Sequence, residues 1–284
     1  ILKTSEFTPS LHNWQFGLLV LGTLLIAAGG YAINDYFDVE IDAANQARQG
    51  ILISRPLKKI IYFACAVTGI IIGLYLTYVL WIRQIALVNL LTAGLLYFYS
   101  ASYKRMVLVG NFVVSFLTAL AVFLPAFADY ELQYTMRDIH LPVVSNKMYN
   151  LRIIIAIVAG YALFAFLMTF IREIIKDIED LEGDERLGCK TLPVVAGKNI
   201  SKGIVQLLIF IVIVLLVVIQ YKQQQWENKV AFIYTLTFIQ FPLLILMGYL
   251  FKSNTKKQFH YAGVLAKLIM LGGILSMPVF NYFS

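Results

Sequence analysis

Long apolar runs separated by short polar stretches set the pattern of this chain. Eight runs are long enough to cross a bilayer as helices, which takes about 20 residues each. They lie near Trp14–Ile33, Ile60–Trp81, Gln84–Tyr99, Leu108–Ala128, Leu151–Ile171, Ile204–Tyr221, Val230–Phe251 and Tyr261–Phe283. The third is the shortest, and its border with the second is the least sharply drawn. The pattern predicts an all-α fold, a polytopic transmembrane helical bundle. We read one domain over residues 1–284, built from two halves at about 1–128 and 151–284.

The polar stretches between these runs alternate in charge. Those after the first, third, fifth and seventh runs hold fifteen Lys and Arg, among them Arg55, Lys104, Arg105, Arg172, Lys176 and Lys190; the opposite side holds seven. The basic side faces the cytoplasm by the positive-inside rule, and Asp129–Asn150 becomes the longest outer loop. Composition agrees: 60% of residues are hydrophobic and 14% are charged, against roughly a quarter charged in soluble domains. The net charge of +7 lies in these loops. Topology and anionic head groups therefore explain it, and nucleic acid is not an expected partner. Cys65 and Cys189 make no disulfide framework, and His12, His140 and His260 make no ligand set. Lys267, inside the last run, is read as snorkelling to the interface.

Chemistry concentrates at two places. Asn34-Asp35-Tyr-Phe-Asp38-Val-Glu-Ile-Asp42 closes the first run, and Asp177-Ile-Glu-Asp180-Leu-Glu-Gly-Asp184 closes the fifth. Both carry carboxylates at i, i+3 and i+7, which on a continuous helix fall within about 60° of arc. Three like charges on one face repel unless a divalent cation sits among them. Both clusters fall on the basic side, so they read as facing Mg²⁺ sites for a diphosphate. Solvated loop acids are the plain alternative. The cations Arg55, Lys104, Arg105, Arg172, Lys176 and Lys190 share these loops and could stabilise charge on a departing diphosphate. Taken singly, each also serves topology. Lys104 and Arg172 stand out because each lies near a helix end.

At these residues the chain resembles the UbiA-type intramembrane prenyltransferases. That family carries Asn-Asp-x-x-Asp-x-x-x-Asp and a later Asp-x-x-Asp-x-x-x-Asp, matched by Asn34–Asp42 and Asp177–Asp184. Tyr99-Ser100, Lys104-Arg105, Gly110-Asn111 and Arg55-Pro56-Leu57 look like further family elements. The resemblance implies Mg²⁺ as cofactor, a prenyl diphosphate donor and an acceptor drawn from lipids or aromatic compounds, all within the membrane. Asn34, Asp35, Asp38, Asp177 and Asp180 would hold metal; Asp42 and Asp184 would bind metal or orient basic residues. Lys104, Arg172 and Lys176 would contact the diphosphate, with Arg55, Asn111 and Lys190 also in the substrate site.

The stretch from Arg172 to Asp184, followed by Lys190-Thr191-Leu192-Pro193, looks most like digeranylgeranylglyceryl phosphate synthases. A glycerol-phosphate acceptor needs cations for its own phosphate, for which Lys190 and Lys198 are candidates. Aromatic-acceptor prenyltransferases share much of the pattern and stay open as an alternative. A cation transporter using the acidic clusters is the alternative of another class. Tyr31, Tyr97, Tyr99 and Tyr161 could surround an allylic cation, although core packing explains each. The family has nine transmembrane helices and this chain, opening at Ile1, shows eight, so the resemblance implies a leading helix outside the sequence given.

Overall fold

The computed structural model describes residues 10–39, 54–138, 145–225 and 229–283. Among them the chain is helical throughout, without strands. The long helices are α1 (Asn13–Phe37), α2 (Arg55–Leu80), α3 (Gln84–Ala101), α4 (Val109–Asp138) and α5 (Ser145–Glu179). Two short helices follow, α6 (Leu181–Arg186) and α7 (Leu192–Ala196). After them come α8 (Lys198–Gln225), α9 (Lys229–Tyr234), α10 (Phe241–Lys252) and α11 (Lys256–Phe283). Among the described residues eight helical segments are long and apolar enough to cross a membrane, and the protein is an integral, multi-pass membrane protein.

Helices outrun the apolar segments that mark them. The first run ends at Ile33, yet α1 continues to Phe37; the fifth ends at Ile171, yet α5 continues to Glu179. In both cases the extra turns carry acidic residues, Asp35 on α1 and Glu173, Asp177 and Glu179 on α5. The second run stops one residue earlier than its apolar pattern, because Trp81 turns left-handed at φ 60°. The seventh span is continuous from α9 to α10 through a π-helical stretch, Thr235–Gln240. Pro242 explains it: without an N–H it cannot bond the carbonyl four residues back, and the Phe241 N–H reaches Leu236 O instead.

The chain divides into two compact units. One comprises Phe7–Lys104 with Phe116–Ala162. Its core joins Leu19, Leu76, Ile85 and Leu124, and a second cluster joins Ile26, Ile33, Tyr62 and Ala93. Glycine lets α1 and α2 touch: a Cβ on Gly29 would lie 3.1 Å from Cys65 Cβ. Polar ties lock α2 to α3, Asn89 Nδ2 donating to Gly69 O at 2.9 Å and Tyr62 OH to Ala93 O at 2.8 Å. Asp129 on α4 accepts the Ser10 and Leu11 N–H groups at 2.7 and 3.0 Å, anchoring the entry to α1.

The other unit comprises Arg105–Ser115 and Leu163–Ser284. Met168, Ile171, Ile175, Ile209, Leu243 and Ala266 belong to its core. Gly272 on α11 packs against the Phe238 carbonyl of the π-helical stretch, which a Cβ would meet at 3.0 Å.

Candidate active site

In the first unit the acidic motif is built on the end of α1. Asn34 and Asp35 lie in its last turn, and Asp38 is the C-cap residue, its N–H bonded to Asn34 O at 2.9 Å. A carboxylate at a helix C-terminus opposes the helix dipole, so it needs a cation. Lys104 supplies it. The 3₁₀ turn Tyr103–Arg105, directly after α3, pairs Lys104 Nζ with Asp38 Oδ1 and brings it 3.4 Å from Asn34 Oδ1. The Lys104 and Asp38 side chains are only 11% and 13% exposed. Asn34 Nδ2 donates to the other Asp38 oxygen. Asp35 is more open, at 41%, with Lys58 Nζ 3.8 Å away.

Lys58 was not singled out by sequence reading. Its signal was available: it stands one turn beyond Arg55 in the first turn of α2. Asp42 lies outside the described residues. Arg55 begins α2, and nothing is described of its side chain. Tyr97 stacks among Tyr62, Phe37 and Phe98, which is core packing, and Tyr31 is exposed.

In the second unit the expected single helix face is not what forms. Asp177 lies on α5, but the helix ends at Glu179 and Asp180 sits at the junction with ψ 4°. The N–H groups of Gly183 and Asp184 both turn back to Asp180 O at 3.0 Å, starting α6. The three acids therefore fall on α5, the junction and α6. Asn111 in the first turn of α4 donates Nδ2 to Asp177 Oδ2 at 2.7 Å. Asp184, 7% exposed, accepts Thr191 Oγ1 at 3.1 Å. This bond ties the Asp184 carboxylate to the first residue before α7.

Burial pushes the Asp180 carboxyl up to about 6. Lys176 works against that shift, while Glu179 and Asp184 add to it. Lys176 lies on the exposed side of α5's last turn, one turn before Asp180. Arg172 pairs with Glu173, which is buried at 7% exposure. Glu179 meets His260 Nδ1 at 3.0 Å. Lys190 is exposed, and its N–H donates to Arg105 O at 2.8 Å. Glu173, Thr191 and His260 had no role in the sequence reading, since none belongs to the acidic repeat.

The donor sets fit a hard cation. The side chains of Asn34, Asp35, Asp38, Asp177 and Asp180 offer oxygen and no sulfur. Among the described residues no three His, Cys, Asp or Glu converge on one point. Mg²⁺ does not require that, because it takes one or two carboxylates together with substrate phosphates and water.

Comparison with known proteins identifies the family and the fold. The model of the UbiA prenyltransferase family matches residues 4–269. Digeranylgeranylglyceryl phosphate synthase of Saccharolobus solfataricus is 34% identical over 217 residues, covering 75% of this chain and 67% of the relative. Two solved structures share the fold. One, from work on digeranylgeranylglyceryl phosphate synthase in membranes, has a TM-score of 0.59 at 23% identity, covering 94% of this chain and 87% of that one. The apo structure of a UbiA homolog from Aeropyrum pernix K1 has a TM-score of 0.64 at 12% identity, covering 95% and 92%. A multi-pass helical membrane protein with an acidic motif closing its first and fifth spans, matched by the family model over nearly its whole length, this chain belongs to the UbiA prenyltransferase family and is an intramembrane prenyltransferase.

Proposed function

We propose that this enzyme transfers a geranylgeranyl group from its diphosphate to geranylgeranylglyceryl phosphate, with Mg²⁺, at the cytoplasmic face. The observation that carries the reading is the nearly buried Lys104–Asp38 pair with Asn34 beside it. A solvated acidic loop needs no such partner, whereas a phosphate-handling site needs cations and carboxylates interleaved. The resemblance to digeranylgeranylglyceryl phosphate synthases supports the choice of donor and acceptor.

Asn34, Asp35, Asp38, Asp177 and Asp180 would hold Mg²⁺, with Asp42 as a further ligand. The metal supplies charge neutralisation for the diphosphate as it leaves. Lys104, Arg172 and Lys176 contact the diphosphate oxygens, and Arg55 adds a cation. Asn111 holds the Asp177 carboxylate in one orientation. The C1–O bond of the donor breaks, its electron pair leaving with diphosphate. The acceptor hydroxyl then forms the new C–O bond and releases its proton. The apolar helix walls keep water from competing for the allylic carbon.

The test is a panel assay. Labelled geranylgeranyl diphosphate is offered with geranylgeranylglyceryl phosphate, with its dephosphorylated alcohol and with aromatic quinone precursors. Transfer chiefly to the phosphorylated acceptor supports the proposal; transfer only to an aromatic ring defeats it. Cation flux without turnover defeats the enzyme reading itself.

A further inference from the structure

Several cations around the two acidic motifs are already engaged. Lys104 pairs with Asp38, Lys58 approaches Asp35, and Arg172 pairs with Glu173. Lys198, a candidate phosphate ligand from sequence, instead gives its Nζ to the Asn254 carbonyl and lies 5.4 Å from the Phe259 ring centre. Buried Lys202 donates to Ser253 O at 2.8 Å. These two lysines satisfy carbonyls at the C-terminal end of α10, where positive charge is favourable.

Arg105 and Lys190 are different. Both are exposed, and among the described residues neither side chain has a hydrogen-bond or ion-pair partner. The backbone nevertheless brings them together, through the 2.8 Å bond from Lys190 N–H to Arg105 O. The loop that delivers Lys190 is fixed by the second acidic motif. Thr191, 3% exposed and N-cap of α7, donates its hydroxyl to the buried Asp184 carboxylate at 3.1 Å. The Cys189 N–H donates to the Asp184 carbonyl at 2.9 Å. Gly188 makes the required turn at φ +68°, where a side chain would be strained.

The backbone bond makes two exposed cationic residues neighbours, and an anion bound there gains from both charges. We infer that Arg105 and Lys190 bind the phosphate monoester of the acceptor, and that Asp184 and Thr191 are positioning residues for that pair. A phosphate monoester carries between one and two negative charges near neutral pH, which two cations balance. The guanidinium fork engages two oxygens while the ammonium acts as a point charge. The pair thus separates a phosphorylated acceptor from its neutral alcohol. The inference rests on the acceptor assigned under Proposed function.

The experiment measures KM for each substrate in the purified full chain, with the other substrate saturating. Arg105→Gln and Lys190→Gln should each raise the KM for geranylgeranylglyceryl phosphate about tenfold, with the KM for geranylgeranyl diphosphate within about twofold of wild type. Both should lose most of the preference for the phosphorylated acceptor over its alcohol. Thr191→Val should raise the same acceptor KM, and Thr191→Ser should restore it. Arg105→Lys and Lys190→Arg keep the charge but not the geometry, so each should raise the acceptor KM less than its Gln counterpart does, which keeps the question answerable if a Gln variant fails to fold. An unchanged acceptor KM in folded Gln variants, or an equal rise in donor KM, overturns the pair alone. A wild-type enzyme that uses an aromatic acceptor and ignores the phosphorylated one overturns the acceptor reading and the pair with it.

Discussion

Asn111 Nδ2 donates to Asp177 Oδ2 at 2.7 Å, joining the first turn of α4 to the last turn of α5. Asn111 is itself fixed, 7% exposed and with its carbonyl accepting Ser115 Oγ at 2.6 Å. The amide therefore sets which carboxylate oxygen stays available. Asn111→Ala should lower kcat/KM for the prenyl diphosphate by about ten- to a hundredfold. Asn111→Asp should be worse, because it places a second carboxylate against the first. Steady-state kinetics on folded protein checks both.

Lys104 is the charge that makes Asp38 tolerable at the end of α1. Lys104→Met leaves a carboxylate that is 13% exposed without its cation, a loss of the kind that costs several kcal/mol, about 3–5, when a buried pair is broken. We expect lower thermal stability together with at least a tenfold loss in kcat/KM. Lys104→Arg should recover stability more fully than activity, since a guanidinium does not reproduce an ammonium's position.

Asp180 gives the pH dependence a sign. Its folded value of about 6 lies above the ordinary 3.8, so the native state keeps a proton that the unfolded chain releases. That contribution to stability is fully present below about pH 4 and is lost as pH rises through 6. Metal binding runs the other way, because it needs the carboxylate. The Mg²⁺ concentration for half-maximal activity should fall as pH rises through about 6. Asp180→Asn should remove the corresponding slope from the pH profile of thermal unfolding, a readout that does not depend on activity.

Asp129 anchors the approach to α1 far from the chemistry. Asp129→Ala strands the Ser10 and Leu11 N–H groups, at about 1–3 kcal/mol for each donor left buried without an acceptor. Asp129→Asn keeps an acceptor oxygen and should lose less. Thermal unfolding in detergent separates the two, and folded protein should retain its KM for both substrates.

The sequence made the membrane spans and both acidic motifs readable because apolar runs and i, i+3, i+7 spacing are local signals. The ends were harder. Asn34 to Phe37 and Arg172 to Glu179 stay helical after hydropathy fails, held by backbone bonds that a polarity pattern does not register. The break at Asp180 depends on where the Gly183 and Asp184 N–H groups turn, so the assumption of one continuous helix put Asp184 on the wrong face. Thr191 could not be placed from spacing, since its partner Asp184 is reached only through the fold. The π-helical stretch was missed for a similar reason: Pro242 was visible, but its consequence depends on which carbonyl it leaves free.

The most direct test measures Mg²⁺-dependent diphosphate release from geranylgeranyl diphosphate in the presence of acceptor, comparing wild type with Asp38→Ala and Asp180→Ala in folded protein. Wild type should release diphosphate robustly and lose that release with chelator, and each variant should fall by at least about a hundredfold. Full Mg²⁺-dependent release by both variants would contradict this.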